Sequence, residues 1–156
     1  NRRFFNEKFE QIQSEMQHYS IILVDIDHFK SINDQYGHHF GDEVLCKIAQ
    51  LLLSQIRQSD TIARYGGEEF IIAMPNASLE VATNIAERCR IHIQNQMALP
   101  LEPERVVQLT ASFGIASSQG KIQPEKIIQH ADQALYEAKQ HGRNQVRCYS
   151  ASEASI

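Results

Sequence analysis

The sequence predicts an α/β (α+β) sandwich in which one mixed sheet of about five strands is surrounded by helices, and three observations carry that expectation. Segments with apolar residues at helical spacing alternate with short strand-like runs in the order αβααββαβαβ. The apolar run Ile21-Ile22-Leu23-Val24 leads into Asp25 and Asp27 and reads as a strand buried on both faces, which belongs at the sheet centre. Of the 156 residues, 42% are apolar and 22% charged, an ordinary globular mixture that can bury one core. The expected organisation is one domain over 1–149 with a short frayed tail at 150–156.

Phe5, Phe9, Ile12 and Met16 share one helical stripe, so the chain opens with an amphipathic helix that packs at the domain edge. The central strand at 21–27 follows, and a helix opens at His28. After Gly37 and Gly41, residues 42–57 place Leu45, Ile48, Leu52 and Ile56 on one face, with Asp42 and Glu43 at an N-terminus that favours acids. The runs 61–65 and 68–74 are separated only by Gly66 and Gly67, which predicts a two-residue hairpin loop with Glu68 at its tip. Ser78 caps a helix reaching Gln96, with Ala82, Ile85, Cys89 and Ile93 inward. Residues 97–104 contain two prolines and read as a loop. From Val107, the residues Leu109, Ala111, Phe113 and Ile115 alternate with Gln108, Thr110, Ser112 and Gly114, the pattern of a half-buried strand. Pro124 suits the first turn of a helix bearing Ile127, Ile128, Ala131 and Leu135, Gly142 caps it, and a short strand at 145–149 closes the domain.

Fifteen Lys and Arg against 19 Asp and Glu give a net charge of −4, with no basic run. That balance excludes a dedicated nucleic-acid binder and a polybasic membrane anchor. No apolar run approaches the ~20 residues of a spanning helix and no signal-peptide pattern opens the chain, so this segment is expected to make no membrane contact. Three cysteines without a CxxC pair fit a reducing compartment, and the cytoplasm is the expected location. Cys46 and Cys89 fall on apolar helix faces and are expected in the core. HExxH, GxGxxG and P-loop patterns are all absent, which removes zincin, dinucleotide-fold and P-loop chemistry.

Asp25 and Asp27 lie two residues apart and so share a face at the end of the central strand. Acids there mean either a strand leaving the core or a ligand site. Glu68 and Glu69 follow a Gly-Gly pair whose missing side chains allow close approach. If the hairpin pairs beside the central strand, Asp25 and Glu68 face each other as hard oxygen ligands suited to Mg²⁺, the metal of phosphoryl and nucleotidyl transfer.

The tracts Asp25-Ile26-Asp27-His28-Phe29-Lys30-Ser31-Ile32-Asn33-Asp34, Gly37-His38, Gly41-Asp42 and Arg64-Tyr65-Gly66-Gly67-Glu68-Glu69-Phe70 resemble the GGDEF family of diguanylate cyclases in order and spacing. The likeness runs from Asn1 to Asn144. It implies a palm-like nucleotidyl cyclase fold and the making of cyclic di-GMP from two GTP with release of two pyrophosphates. It implies that Asp25, the carbonyl of Ile26 and Glu68 hold Mg²⁺, with Mn²⁺ as a substitute. Glu68, Lys30 and Glu69 then serve catalysis, Glu68 nearest the attacking hydroxyl, Glu69 paired with Lys30, and Asp27 a supporting acid. Lys30, Lys139, Arg143 and the amides of His28, Phe29 and Lys30 take the triphosphate, while Asn33 and Asp42 read guanine.

By the same resemblance Arg57 and Asp60, joined by Arg88, form an RxxD site at which cyclic di-GMP inhibits. Because one site holds one GTP, the resemblance also implies a homodimer as the active species. Taken alone, Lys139 and Arg143 read as cations favoured at a helix C-terminus, Asp42 as a helix-start acid and Asn33 as a turn residue. The competing reading is a non-catalytic GGDEF-like module that binds GTP or cyclic di-GMP for signalling. Retention of all the signature acids favours the enzyme, and Glu in the third signature position keeps the carboxylate.

Overall fold

All eight residues of β1 (Tyr19–Ile26) are buried, and the rest of the protein is arranged around that strand. The computed structural model describes residues 2–96, 99–102, 105–119 and 124–150. In chain order the other elements are α1 (Arg2–Glu15), α2 (Phe29–Tyr36), α3 (His38–Gln55), β2 (Thr61–Arg64), β3 (Glu69–Pro75), α4 (Leu79–Gln96), β4 (Leu99–Glu102), β5 (Arg105–Val107), β6 (Ala111–Ser117), α5 (Ile127–Gln140) and β7 (Val146–Cys148). Five strands form one mixed sheet in the order β2-β3-β1-β6-β7, with only the β6–β7 pair parallel.

Alternation along the central strands divides the core in two. Ile22, Val24, Phe70, Ile72, Phe113 and Ile115 face Val44, Ile48, Leu52, Ile85 and Ile93 of α3 and α4. Ile21, Leu23, Ile71 and Ala73 face Phe5, Phe9 and Ile12 of α1 and Ile127, Ala131 and Leu135 of α5. Each such Ile, Leu or Phe contributes roughly 1.5–3 kcal/mol by burial, so the sheet is held from both faces. Among the described residues no helix is long and apolar enough to cross a membrane.

Most expected elements form, and the departures have local causes. Gly37, at φ 90, ends α2 and lets α3 begin at His38 rather than 42, so Asp42 sits in the second turn instead of at the N-terminus. Cys46, expected in the core, lies on the exposed side of α3, whereas Cys89 is buried and its thiol pKa is pushed up to about 12 by that burial. The β2–β3 connection is not a two-residue loop. The ladder ends at Arg64 opposite Phe70, leaving residues 65–68 as a four-residue turn. Neither Gly66 nor Gly67 has the positive φ of a tight primed turn. Instead the Arg64 guanidinium holds the carbonyls of Gly66 and Gly67, at 2.7 Å for the shortest contact.

Within 97–104, expected as a loop, Leu99–Glu102 pairs with β5 in a separate two-stranded ribbon. Residues 97–98 and 103–104 lie outside the described set, as does the tail from 151. The strand expected from Val107 starts at Ala111 and is buried throughout, because α5 crosses directly over it. A Cβ on Gly114 would stand 2.2 Å from the Ala131 carbonyl, so this close approach requires glycine. The expected cap of α4 forms, with Ser78 Oγ accepting from the Val81 amide at 3.1 Å.

Candidate active site

The antiparallel register of β1 and β3 places Asp25 opposite Glu69, and the Ile26 amide donates to the Glu68 carbonyl at 3.3 Å. Opposed residues of a ladder project to one face, so Glu69 and not Glu68 meets the Asp25 side chain. Glu68 occupies the 65–68 turn beside them, half-buried. Asp25 is only 5% exposed, and the Lys139 ammonium from the last turn of α5 donates to its Oδ2 at 2.6 Å. Glu69 has its pKa raised, first by burial and then by Asp25, with Asp132 adding to the repulsion and Lys139 opposing it. The cation beside Glu69 is therefore Lys139. Lys30, expected there, is exposed on α2.

Asp27, also 5% exposed, accepts hydrogen bonds from the Thr110 and Ser112 hydroxyls at 2.7 Å and from the Asn144 amide at 3.0 Å. Thr110, Ser112, Asn144 and Asp132 were not legible as site residues. Their partners lie up to 117 residues away, and no local spacing signals them.

His28 precedes α2 in the left-handed region at φ 57, with no side chain capping the helix, so the first amides of α2 remain available as donors. Phe29 is buried and His28 is exposed. Across the α2–α3 junction, Asn33 Oδ1 is buried with no hydrogen-bond partner. A Cβ on Gly41 would come within 1.8 Å of that atom, so any larger residue there would displace the Asn33 amide from its place against α3, with exposed Asp42 next in sequence. A buried acceptor without a donor is costly, and a ligand N–H would satisfy it.

α5 ends in a Schellman turn, the Arg143 amide donating to the Ala138 carbonyl at 2.9 Å around Gly142 at φ 110. Arg143 and Asn144 follow at φ 61 and 46, two non-glycine residues in the left-handed region at about 1–3 kcal/mol each. The Arg143 side chain is exposed.

The family model described as diguanylate cyclase, GGDEF domain, matches residues 1–145. This chain belongs to the GGDEF family. It is 42% identical over 128 residues to response regulator PleD of Caulobacter vibrioides, covering 81% of this chain and 28% of PleD. Diguanylate cyclase A of Treponema denticola is 44% identical over 128 residues, covering 81% of this chain and 34% of the relative. This GGDEF chain thus spans about a third of the length of these relatives. Among solved structures, the GGDEF domain of DgcB from Caulobacter crescentus in complex with c-di-GMP superposes with a TM-score of 0.87 at 29% identity, covering 95% of this chain and 90% of that one. The active GGEEF domain of a diguanylate cyclase from Vibrio cholerae gives 0.81 at 38% identity, covering 92% and 90%. The palm-like fold expected from the motifs is therefore the fold of this domain.

The donor set of the GGDEF domain suits Mg²⁺. Asp25, Glu69 and the adjoining Glu68 are hard oxygen donors, and the proton affinity of Glu69, raised first by burial and then by Asp25, falls when a divalent cation is held beside them. Among the described residues no three His, Cys, Asp or Glu side chains gather into a ready-made cage. Mg²⁺ characteristically takes one or two carboxylates and completes its shell with water and substrate phosphate.

At the far end of α3 the RxxD residues are paired with each other. Asp60 accepts from the Arg57 amide at 2.7 Å and from its guanidinium at 2.8 Å, and the same guanidinium donates to the Pro75 carbonyl at 2.8 Å. Arg88 of α4 reaches the same surface through Gln55, bonding its side-chain oxygen at 2.8 Å and its carbonyl at 2.6 Å.

Proposed function

We propose that this GGDEF domain is a Mg²⁺-dependent diguanylate cyclase that condenses two GTP into cyclic di-GMP, working as a homodimer and inhibited by its product at Arg57, Asp60 and Arg88. The observation that carries the reading is the register pairing of Asp25 with Glu69, which brings the acidic Gly66-Gly67-Glu68-Glu69 turn beside the end of β1. In each of two steps a 3′-hydroxyl oxygen attacks an α-phosphorus, a new P–O bond forms, the hydroxyl proton departs and pyrophosphate leaves with the broken bond's electrons. Asp25, the Ile26 carbonyl and Glu68 would hold Mg²⁺, which would supply charge neutralisation at the α-phosphate and a lowered pKa for the attacking hydroxyl.

Lys139 spends one of its three donors on Asp25, which leaves two for phosphate oxygens. Arg143, Lys30 and the open amides of α2 complete the triphosphate's partners. Asn33 and Asp42 take the guanine edge, Asp42 accepting from N1–H and the 2-amino group, which adenine lacks; such a site rejects the wrong base by as much as ~10⁴-fold. Each domain holds one GTP, so closing the ring requires two domains face to face.

The test is product analysis with GTP and Mg²⁺ over a range of protein concentrations, with Glu68→Ala alongside. Cyclic di-GMP should form with steeper than first-order dependence on protein, and the variant should lose more than about 100-fold, beyond the loss typical of an outer-shell change at a metal site. GTP binding without product at any concentration overturns the cyclase reading in favour of the binding module.

A further inference from the structure

Asn144 is gripped from two sides. Its amide donates to Asp27 Oδ2 at 3.0 Å and to Ser112 Oγ at 3.2 Å, while its side-chain oxygen accepts from the Arg90 guanidinium at 3.1 Å. Arg90 is 17% exposed on α4 and is braced by Glu87 and by Gln94. The residue before Asn144 is Arg143, whose carbonyl accepts from Gln145 Nε2 at 3.1 Å and whose guanidinium has no partner among the described residues. Two successive side-chain-bearing residues stay left-handed only where the surroundings over-determine them. Here the determinants are the buried Asp27 carboxylate just past the end of β1 and an arginine on α4, neither of which lies on the turn itself.

We propose that Asp27 and Arg90 are positioning residues for Arg143: by clamping Asn144 through its backbone and its side chain, they hold the left-handed turn that presents the free guanidinium to nucleotide phosphate. This rests on the reading of Arg143 as a phosphate contact. A long arginine on an unconstrained loop loses much of its binding energy to ordering, and a preset backbone removes part of that cost. Asp27 thereby acts through Asn144, not on the reacting atoms.

A non-hydrolysable GTP analogue and guanosine are titrated against the wild type, Arg143→Ala, Arg90→Ala, Asn144→Gly and the Arg90→Ala/Arg143→Ala double variant. Arg90→Ala should bind the analogue about tenfold more weakly, the equivalent of one charge-assisted hydrogen bond, and bind guanosine as the wild type does. Asn144→Gly keeps the amide and the left-handed backbone but drops the contact to Arg90, so it should match Arg90→Ala. The double variant should bind no more weakly than Arg143→Ala alone, because residues acting through one another are non-additive. Unchanged analogue binding in Arg90→Ala, an equal loss for guanosine, or multiplying losses in the double variant each overturn the clamp. Wild-type analogue binding by Arg143→Ala instead overturns the phosphate assignment, and the clamp with it.

Discussion

Asp25 and Asp60 are both buried acids with a cation at hydrogen-bond distance, yet their neighbourhoods are built to opposite rules. The Asp60 side chain is wholly buried and its oxygens are taken by the amide and guanidinium of Arg57, a local pair three residues apart. Asp25 shares its cation with a second acid, Glu69, whose proton affinity is raised first by burial and then by Asp25. One pair satisfies itself and the other keeps an excess of negative charge. An added cation relieves repulsion at the end of β1, whereas a ligand at Arg57 and Asp60 must replace bonds already made.

That contrast can be broken most sharply at Arg57. Arg57→Ala should weaken inhibition by added cyclic di-GMP by about 10–100-fold, the worth of one bidentate arginine, while turnover in its absence stays near wild type. Unchanged inhibition in a product titration overturns the proposed role of Arg57 in product inhibition. Next in size, Asp60→Ala leaves the Arg57 guanidinium only the Pro75 carbonyl among the described residues and should lower the urea unfolding free energy by about 1–2 kcal/mol, a value kept modest because the guanidinium is 38% exposed.

The smallest effect tests the other region. A carboxylate whose folded pKa is raised binds more protons folded than unfolded, so stability falls as pH rises above the ordinary carboxylate range. Unfolding midpoints across that range should show this fall in the wild type and lose it in Glu69→Gln. Mg²⁺ should stabilise the wild type more than Glu69→Gln above that range. Equal pH slopes for the two proteins mean that burial and Asp25 do not raise the proton affinity of Glu69 as described.

Much of the fold was legible because burial imposes periodicity. β1, α4 and α5 could be read from runs and stripes that local geometry forces on a chain with one core. Boundaries set by a neighbouring element were not. Ser112 and Gly114 look like solvent-facing positions in an alternating strand, but α5 covers Gly114 and Asp27 takes Ser112, and neither partner lies nearby in sequence. At the site, Asp25, Glu68 and Glu69 stood out because acids at the end of an apolar strand and after a Gly-Gly pair need a reason. The roles proposed for Asn33, Asp42, Lys139 and Arg143 rest on the family resemblance alone, since each is ordinary in its own segment.

By itself the sequence determined the number and order of the main elements, the central strand and the identity of the acids at its end, because hydrophobic spacing and charge placement act over a few residues. Register was decided by the tertiary structure. Pairing Asp25 with Glu69 rather than Glu68 depends on where the four-residue turn ends, and a shift of one residue exchanges the faces of a strand. The tertiary structure also decided that Lys139, 114 residues from Asp25, neutralises it, and that Asp27 and Arg90 meet at Asn144. Those contacts join segments whose local patterns carry no information about each other, and only the packing of α4 and α5 onto the sheet brings them within hydrogen-bond reach.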